Sequence, residues 1–205
     1  MRIGIDPEGR TAQGVTGFLS FVALNLLYIA LCLPILTIPA ATAALYEVTI
    51  RYSDDESGRP LKDFLPAFGR NWRSASLLGL ALLLPVLLLA FSAVFWAGSP
   101  TVLGGIAMVV SILAGVHFFA AFLYAMALTA VYDNPVRATW KNALLLPTSE
   151  PVRTIGILLI PATLVCVTII FPMFGVIIAT VGFSVGAYAS AFLFRSVFAR
   201  HTPGA

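Results

Sequence analysis

Between Ser74 and Tyr132 the chain carries no Asp, Glu, Lys or Arg, a silence of 59 residues. Two further charge-free stretches flank it, Thr11–Tyr46 with 36 residues and Thr154–Phe194 with 41. A water-soluble helix or strand must be polar on its outer face, and these stretches supply no such face. A bilayer removes that demand. Each stretch exceeds the roughly 20 apolar residues that cross a ~30 Å hydrocarbon core as a helix. The chain therefore reads as an all-α, polytopic integral membrane bundle.

The rest of the composition agrees. Only 10% of the 205 residues are charged, against about 25% in ordinary soluble domains. The longest polar insert, about Arg51–Arg73, is too short to own a core, so residues 1–205 form one membrane domain. The net charge of +3 comes from loop placement rather than a nucleic-acid-binding face. Cys32 and Cys166 each sit in an apolar run as small packing residues. No CxxC pair, metal spacing, P-loop, nucleophile elbow or zincin motif is present, so no catalytic, cofactor or metal residue is assigned. Asp54, Asp55 and Glu56 read as a solvated turn.

Prolines and turn residues divide the silent stretches. The expected spans are about 15–36, 74–97, 101–132, 152–171 and 176–197, five in all. The first is read as a retained helix rather than a cleaved signal. Three shorter elements are expected at the membrane surface. One starts at Pro39 and runs to about Tyr52, at the edge or dipping part-way in, with Glu47 and Arg51 paired at i, i+4. Another covers 60–73 and shows an apolar stripe of Leu61, Phe64, Leu65, Phe68 and Trp72. The last covers 135–146, with Val136, Trp140 and Leu144 on one face.

With five spans, the basic residues of the loops after the first and third spans and of the C-terminal end, ten in all, fall on one side. The positive-inside rule makes that side cytoplasmic and the N-terminus external. The opposing reading folds Thr11–Tyr46 into a hairpin that returns the chain and brings the N-terminus inside.

Few polar groups lie within the spans. His117, mid-way along the third, is by default a functional candidate: a proton relay, ligand contact or gate. Its bland alternative is a neutral imidazole bonded to a neighbouring helix. Asn25 in the first span could line a polar path with His117 or clamp a neighbour. Gly182, Gly186 and Ser190 form a small-residue ladder suited to close helix packing, within the chain or with another subunit. Ala40 and Ala44 mark a small-sided face that could dock on a partner or on the bundle itself. Pro85 and Pro161 are candidate kinks.

Certain motifs resemble a known family. Leu24-Asn25-Leu26-Leu27, Leu33-Pro34 and Pro39-Ala40-Ala41-Thr42-Ala43-Ala44-Leu45-Tyr46 resemble the N-terminal signature of the YesL-like family of small bacterial membrane proteins, a domain of unknown function. Phe64-Leu65-Pro66-Ala67-Phe68, Asn71-Trp72-Arg73 and Trp140-Lys141-Asn142-Ala143-Leu144-Leu145 fit the same pattern. The resemblance implies a bacterial plasma-membrane protein, often encoded beside carbohydrate ABC importers, and supplies no catalytic residue. Two functions are therefore expected. The first is a non-enzymatic accessory subunit in the lipid bilayer, working with ABC importer subunits or as a homo-oligomer. The second is a stand-alone transporter or channel with a path near His117 and Asn25.

Overall fold

A computed structural model describes residues 7–54 and 59–201, with side chains from residue 15. Arg2, Asp6, the side chains of Glu8 and Arg10, and Asp55 and Glu56 of the acidic turn lie outside the described residues. The described residues are helical without strands: α1 Pro7–Cys32, α2 Ile38–Asp54, α3 Pro60–Ala97, α4 Val102–Val131, α5 Val136–Ser149, α6 Pro151–Ile170 and α7 Phe174–His201. Five of them, Val15–Cys32 within α1, then α3, α4, α6 and α7, are long and apolar enough to cross a membrane. Their exposed faces are rows of Leu, Val, Ile and Phe, such as Leu84, Leu87, Leu88 and Phe91 on α3. Lipid accepts such a surface and water does not.

The surprise is α2. The sequence places 39–52 at the membrane edge or dipping part-way in, but every residue from Pro39 to Ile50 is buried within the bundle. Helices α1, α3, α4 and α7 pack around it. Ala40, Ala41, Ala43 and Ala44 give it a thin body that neighbouring backbones can approach closely. Its hydroxyls are satisfied locally: Thr49 donates to Leu45 O at 2.8 Å, and Thr42 donates to Ile38 O and meets the Tyr28 hydroxyl at 3.2 Å. A helix small and apolar on all sides belongs inside a bundle. Gly79 of α3 shows how tight the fit is, since a Cβ there would fall 2.3 Å from the Pro39 ring.

Side-chain pairings fix the chain directions. Tyr28 meets Thr42, and Phe21 meets Tyr52 with ring centroids 5.6 Å apart, so α1 and α2 are antiparallel. Glu47 meets Asn71 while Pro39 meets Gly79, so α2 and α3 are antiparallel too. Ser92 and Ser111 join the α3–α4 hairpin at 2.9 Å. Arg153 meets Ser196 while Gly186 faces Ile160, which makes α6 and α7 antiparallel. The chain thus passes through the bundle six times, with α2 as an enclosed return stroke. Phe21, midway along α1, lies level with Tyr52, so α1 starts at the same end as α5 and the last turns of α7. This overturns the odd-numbered topology with the N-terminus opposite the basic loops and matches the hairpin alternative. Five lipid-facing helices are present as expected, but α2 adds a pass that hydropathy alone does not reveal.

A second correction concerns 60–73. This segment is not a separate surface helix but the first third of α3, which runs 38 residues without a break. At ~1.5 Å per residue that is ~57 Å, well beyond a ~30 Å hydrocarbon core. Pro66, Arg70 and Arg73 all lie inside the continuous helix. Its buried stripe is Pro60, Phe64, Ala67, Asn71, Ala75, Leu78 and Leu82. Of the stripe read from the sequence, only Phe64 belongs to it; Leu61, Leu65 and Trp72 are exposed. Helix α5 occurs close to where expected and sets Thr139, Ala143 and Leu146 into the bundle.

Two outcomes are expected. Gly79→Ala should cost about 1–3 kcal/mol by overpacking against Pro39, read as a lower melting temperature of the detergent-solubilised protein. Cysteines placed at Arg10 and His201, in a background lacking Cys32 and Cys166, should react with a membrane-impermeant maleimide from one side of sealed vesicles, and a cysteine at Ser99 from the other. Labelling of Arg10→Cys from the Ser99 side would refute the hairpin.

Candidate functional site

Within the described residues, the ends of the bundle differ sharply. The turns Leu33-Pro34, Gly98-Ser99-Pro100 and Phe171-Pro172-Met173 carry no charge. The opposite end holds the ion pairs. Arg195 of α7 pairs with Asp54 and donates to Ser53 O at 2.7 Å, tying the ends of α7 and α2 together. Arg153 of α6 pairs with Glu150 and donates to Ser196 Oγ.

The most buried of these clusters centres on Glu47. Its side chain is only 8% exposed, at the point where the enclosed α2 approaches the polar end. Arg51, one turn on, donates from Nη2 to Oε1 at 2.6 Å, and Arg70 of α3 donates to the same oxygen. Asn71 donates from Nδ2 to Oε2 at 2.7 Å. A buried carboxylate is costly unless its lone pairs are occupied; here two guanidiniums and an amide occupy them. Asp63 Oδ2 lies 3.9 Å from Arg51 Nη1, a longer and more exposed contact. The cluster opens into a cavity of about 410 Å³ whose wall also includes Ser74, Thr129, Asp133, Asn134 and Thr139. It is a polar chamber enclosed by α2, α3, α4 and the start of α5.

Sequence reasoning finds the Glu47–Arg51 pair but not the chamber. The available signal is Asn71, a polar residue standing where the α3 period calls for an apolar one. The residues singled out earlier have other fates. Asn25 is fully buried and bonded on both sides of its amide: Nδ2 donates to Ala179 O at 2.7 Å and to Ile178 O at 3.1 Å, while Oδ1 accepts from Ser184 N at 3.0 Å. These partners lie at and just after Ile178–Gly182, where α7 widens into a π-helical turn. Such a turn leaves backbone groups short of regular partners, and Asn25 supplies them from α1. His117 is half-buried on α4 with its ring against Phe118, centroids 6.2 Å apart. It shares no hydrogen bond with Asn25, and neither residue lines the polar chamber.

Gly186 of the ladder faces α6, where a Cβ would meet Ile160 Cγ2 at 3.3 Å. Ser190 is buried and donates to Gly186 O at 2.9 Å, and Gly182 is buried within the π turn. Ala40 and Ala44 have no exposed surface, so the face they form meets neighbours in the same chain. Pro85 and Pro161 lie inside α3 and α6. Beside Pro161, an apolar groove of about 790 Å³ runs between α3, α4 and α6 at membrane depth. Among the described residues no group of three or more His, Cys, Asp or Glu is arranged to hold a metal.

A family model described as "Protein of unknown function, DUF624" matches residues 21–93. That stretch runs from the middle of α1 through most of α3 and contains Asn25, α2 and all four residues of the Glu47 clamp. Over it the chain is similar to this uncharacterised family. No curated protein and no solved structure matches.

The two polar seams should respond differently to truncation. Asn71→Ala removes a bond to a buried carboxylate and should cost about 1.5–3 kcal/mol. Asn25→Ala strands Ala179 O and Ser184 N inside the bundle and should lower the melting temperature clearly, at about 0.6–1.7 kcal/mol per lost interhelical bond. His117→Ala should change it far less. A larger loss at His117 than at Asn25 would contradict this ranking.

Proposed function

We propose that the protein is a non-enzymatic membrane subunit that works by contact with other proteins at its charged end. One observation carries this reading: Asn25, Ser184, Ser92 and Ser111 spend hydrogen bonds on other helices of the bundle, while groups with bonding capacity left are gathered at one end, around Glu47 and along α5. A solute path needs unspent polar groups through the membrane, and Asn25 is committed to the π turn of α7. A stand-alone transporter with His117 and Asn25 on its path therefore has less support.

The charged end is proposed as cytoplasmic, since Lys and Arg collect on the inner side of membrane proteins. Both termini would then be cytoplasmic. The YesL-like resemblance of Pro39–Tyr46 and its neighbours supports a bacterial plasma-membrane setting and, as partner, a carbohydrate ABC importer. On this reading α5, with exposed Arg137, Lys141 and Asn142, faces the cytoplasmic side of that assembly.

Affinity purification of the tagged full chain from native membranes, in a mild detergent, tests the proposal. Importer membrane subunits are expected in stoichiometric amounts, and Lys141→Glu together with Arg137→Glu should reduce their recovery several-fold without lowering the melting temperature. Recovery of the chain alone, with importer subunits left in the flow-through, would reject it.

A further inference from the structure

We propose that the chamber beside Glu47 binds a phosphate-bearing group, with Arg51 and Arg70 holding the phosphate and Asp133 facing an attached ammonium. The inference does not depend on the partner proposed above.

The argument begins with the clamp. Arg51 and Arg70 both donate to Glu47 Oε1, so one buried oxygen fixes two guanidiniums side by side. A guanidinium carries five N–H donors, and among the described residues each of these two spends a single hydrogen bond, on Glu47. Both side chains are more than half exposed, and both line the chamber. Two guanidiniums share one buried carboxylate, and the second carboxylate, Asp63, reaches Arg51 only at 3.9 Å and lies outside the chamber lining, so cationic donors face the cavity. Paired guanidinium forks match the oxygens of a phosphate, and prior anchoring on Glu47 removes much of the ordering cost of binding. Ser74 and Thr139 add hydroxyls to the wall.

The chamber also contains the opposite charge. Asp133, in the link between α4 and α5, lines it and makes no ion pair among the described residues. A simple anion would be repelled there. A group with a phosphate at one end and an ammonium at the other satisfies both walls. Depth points to the same chemistry. Trp72, next to Asn71 and exposed, is the kind of residue that sits at the headgroup level. The chamber thus opens where α3 leaves the hydrocarbon core, at the level of lipid phosphates. The volume of about 410 Å³ accommodates a headgroup-sized ligand.

Native mass spectrometry of the full chain in a maltoside detergent reads binding directly. The probes are dihexanoyl phosphatidylethanolamine, phosphate-free dihexanoylglycerol, phosphoethanolamine and inorganic phosphate. The phosphatidylethanolamine should bind and the dihexanoylglycerol should not. Arg70→Lys keeps the charge that neutralises Glu47 but loses the fork, and should weaken binding about tenfold. Asn134→Trp fills the chamber mouth without touching the clamp and should weaken it at least as much, so a folding defect at the clamp cannot mimic the result. Displacement by phosphoethanolamine at matched concentration assigns the site to a soluble phosphate compound; displacement by phospholipid alone assigns it to a lipid headgroup. Both outcomes uphold the phosphate site. Equal binding of the phosphate-free lipid, or unchanged binding in both variants, overturns it.

Discussion

The rest of the structure depends on how a charged end is attached to an enclosed helix. Helix α2 runs through the middle of the bundle and brings Glu47 with it, largely withdrawn from water. An isolated carboxylate there would be prohibitively costly. The clamp of Arg51, Arg70 and Asn71 removes that cost and, in doing so, fixes the rotation and depth of α2 against α3. At the other end of the same contact, Pro39 sits in the space that Gly79 leaves open. A charge clamp at one end and a steric notch at the other define one register for α2 and α3. With α2 fixed, the aromatic cluster of Tyr46, Tyr124, Phe194 and Phe198 can close around it from α4 and α7.

That arrangement explains why the topology is even. A 17-residue helix covers ~25 Å at ~1.5 Å per residue, short of a typical lipid-facing span, yet long enough inside protein, where neighbours rather than lipid define its surroundings. It turns the chain back within the bundle, so α1 begins at the charged end and α7 finishes there.

The lipid-facing helices were legible because their signal is additive: a long absence of charge, interrupted by Gly98-Ser99-Pro100 and by Pro172, needs no knowledge of neighbours. The enclosed helix was not. Its alanines and threonines give middling hydropathy, and Glu47 and Arg51 resemble a surface pair when only one helix is considered. Only the placement of Arg70 and Asn71, more than twenty positions along, turns that pair into a buried clamp. Asn71 itself was visible as a polar break in a buried period, but the neighbouring stripe through Leu61, Leu65 and Trp72 is more apolar and conceals it. Lipid makes an exposed apolar stripe as acceptable as a buried one, so near the membrane surface hydrophobicity no longer tells inside from outside.

Asn25 and Glu47 show why polarity in a membrane does not by itself mark a working site. Both are buried, and both join helices distant in sequence. Asn25 spends its amide donors and one oxygen lone pair on the π turn of α7, deep inside the bundle. Glu47 is equally committed, but the partners that satisfy it are not: Arg51 and Arg70 reach the chamber with donors in excess. The useful distinction is therefore not whether a polar residue is buried but whether the residues that satisfy it have capacity left over. By that criterion the part of this bundle with bonding capacity to spare is the charged end around Arg51 and Arg70, and Asn25 and Glu47 hold the helices that carry it.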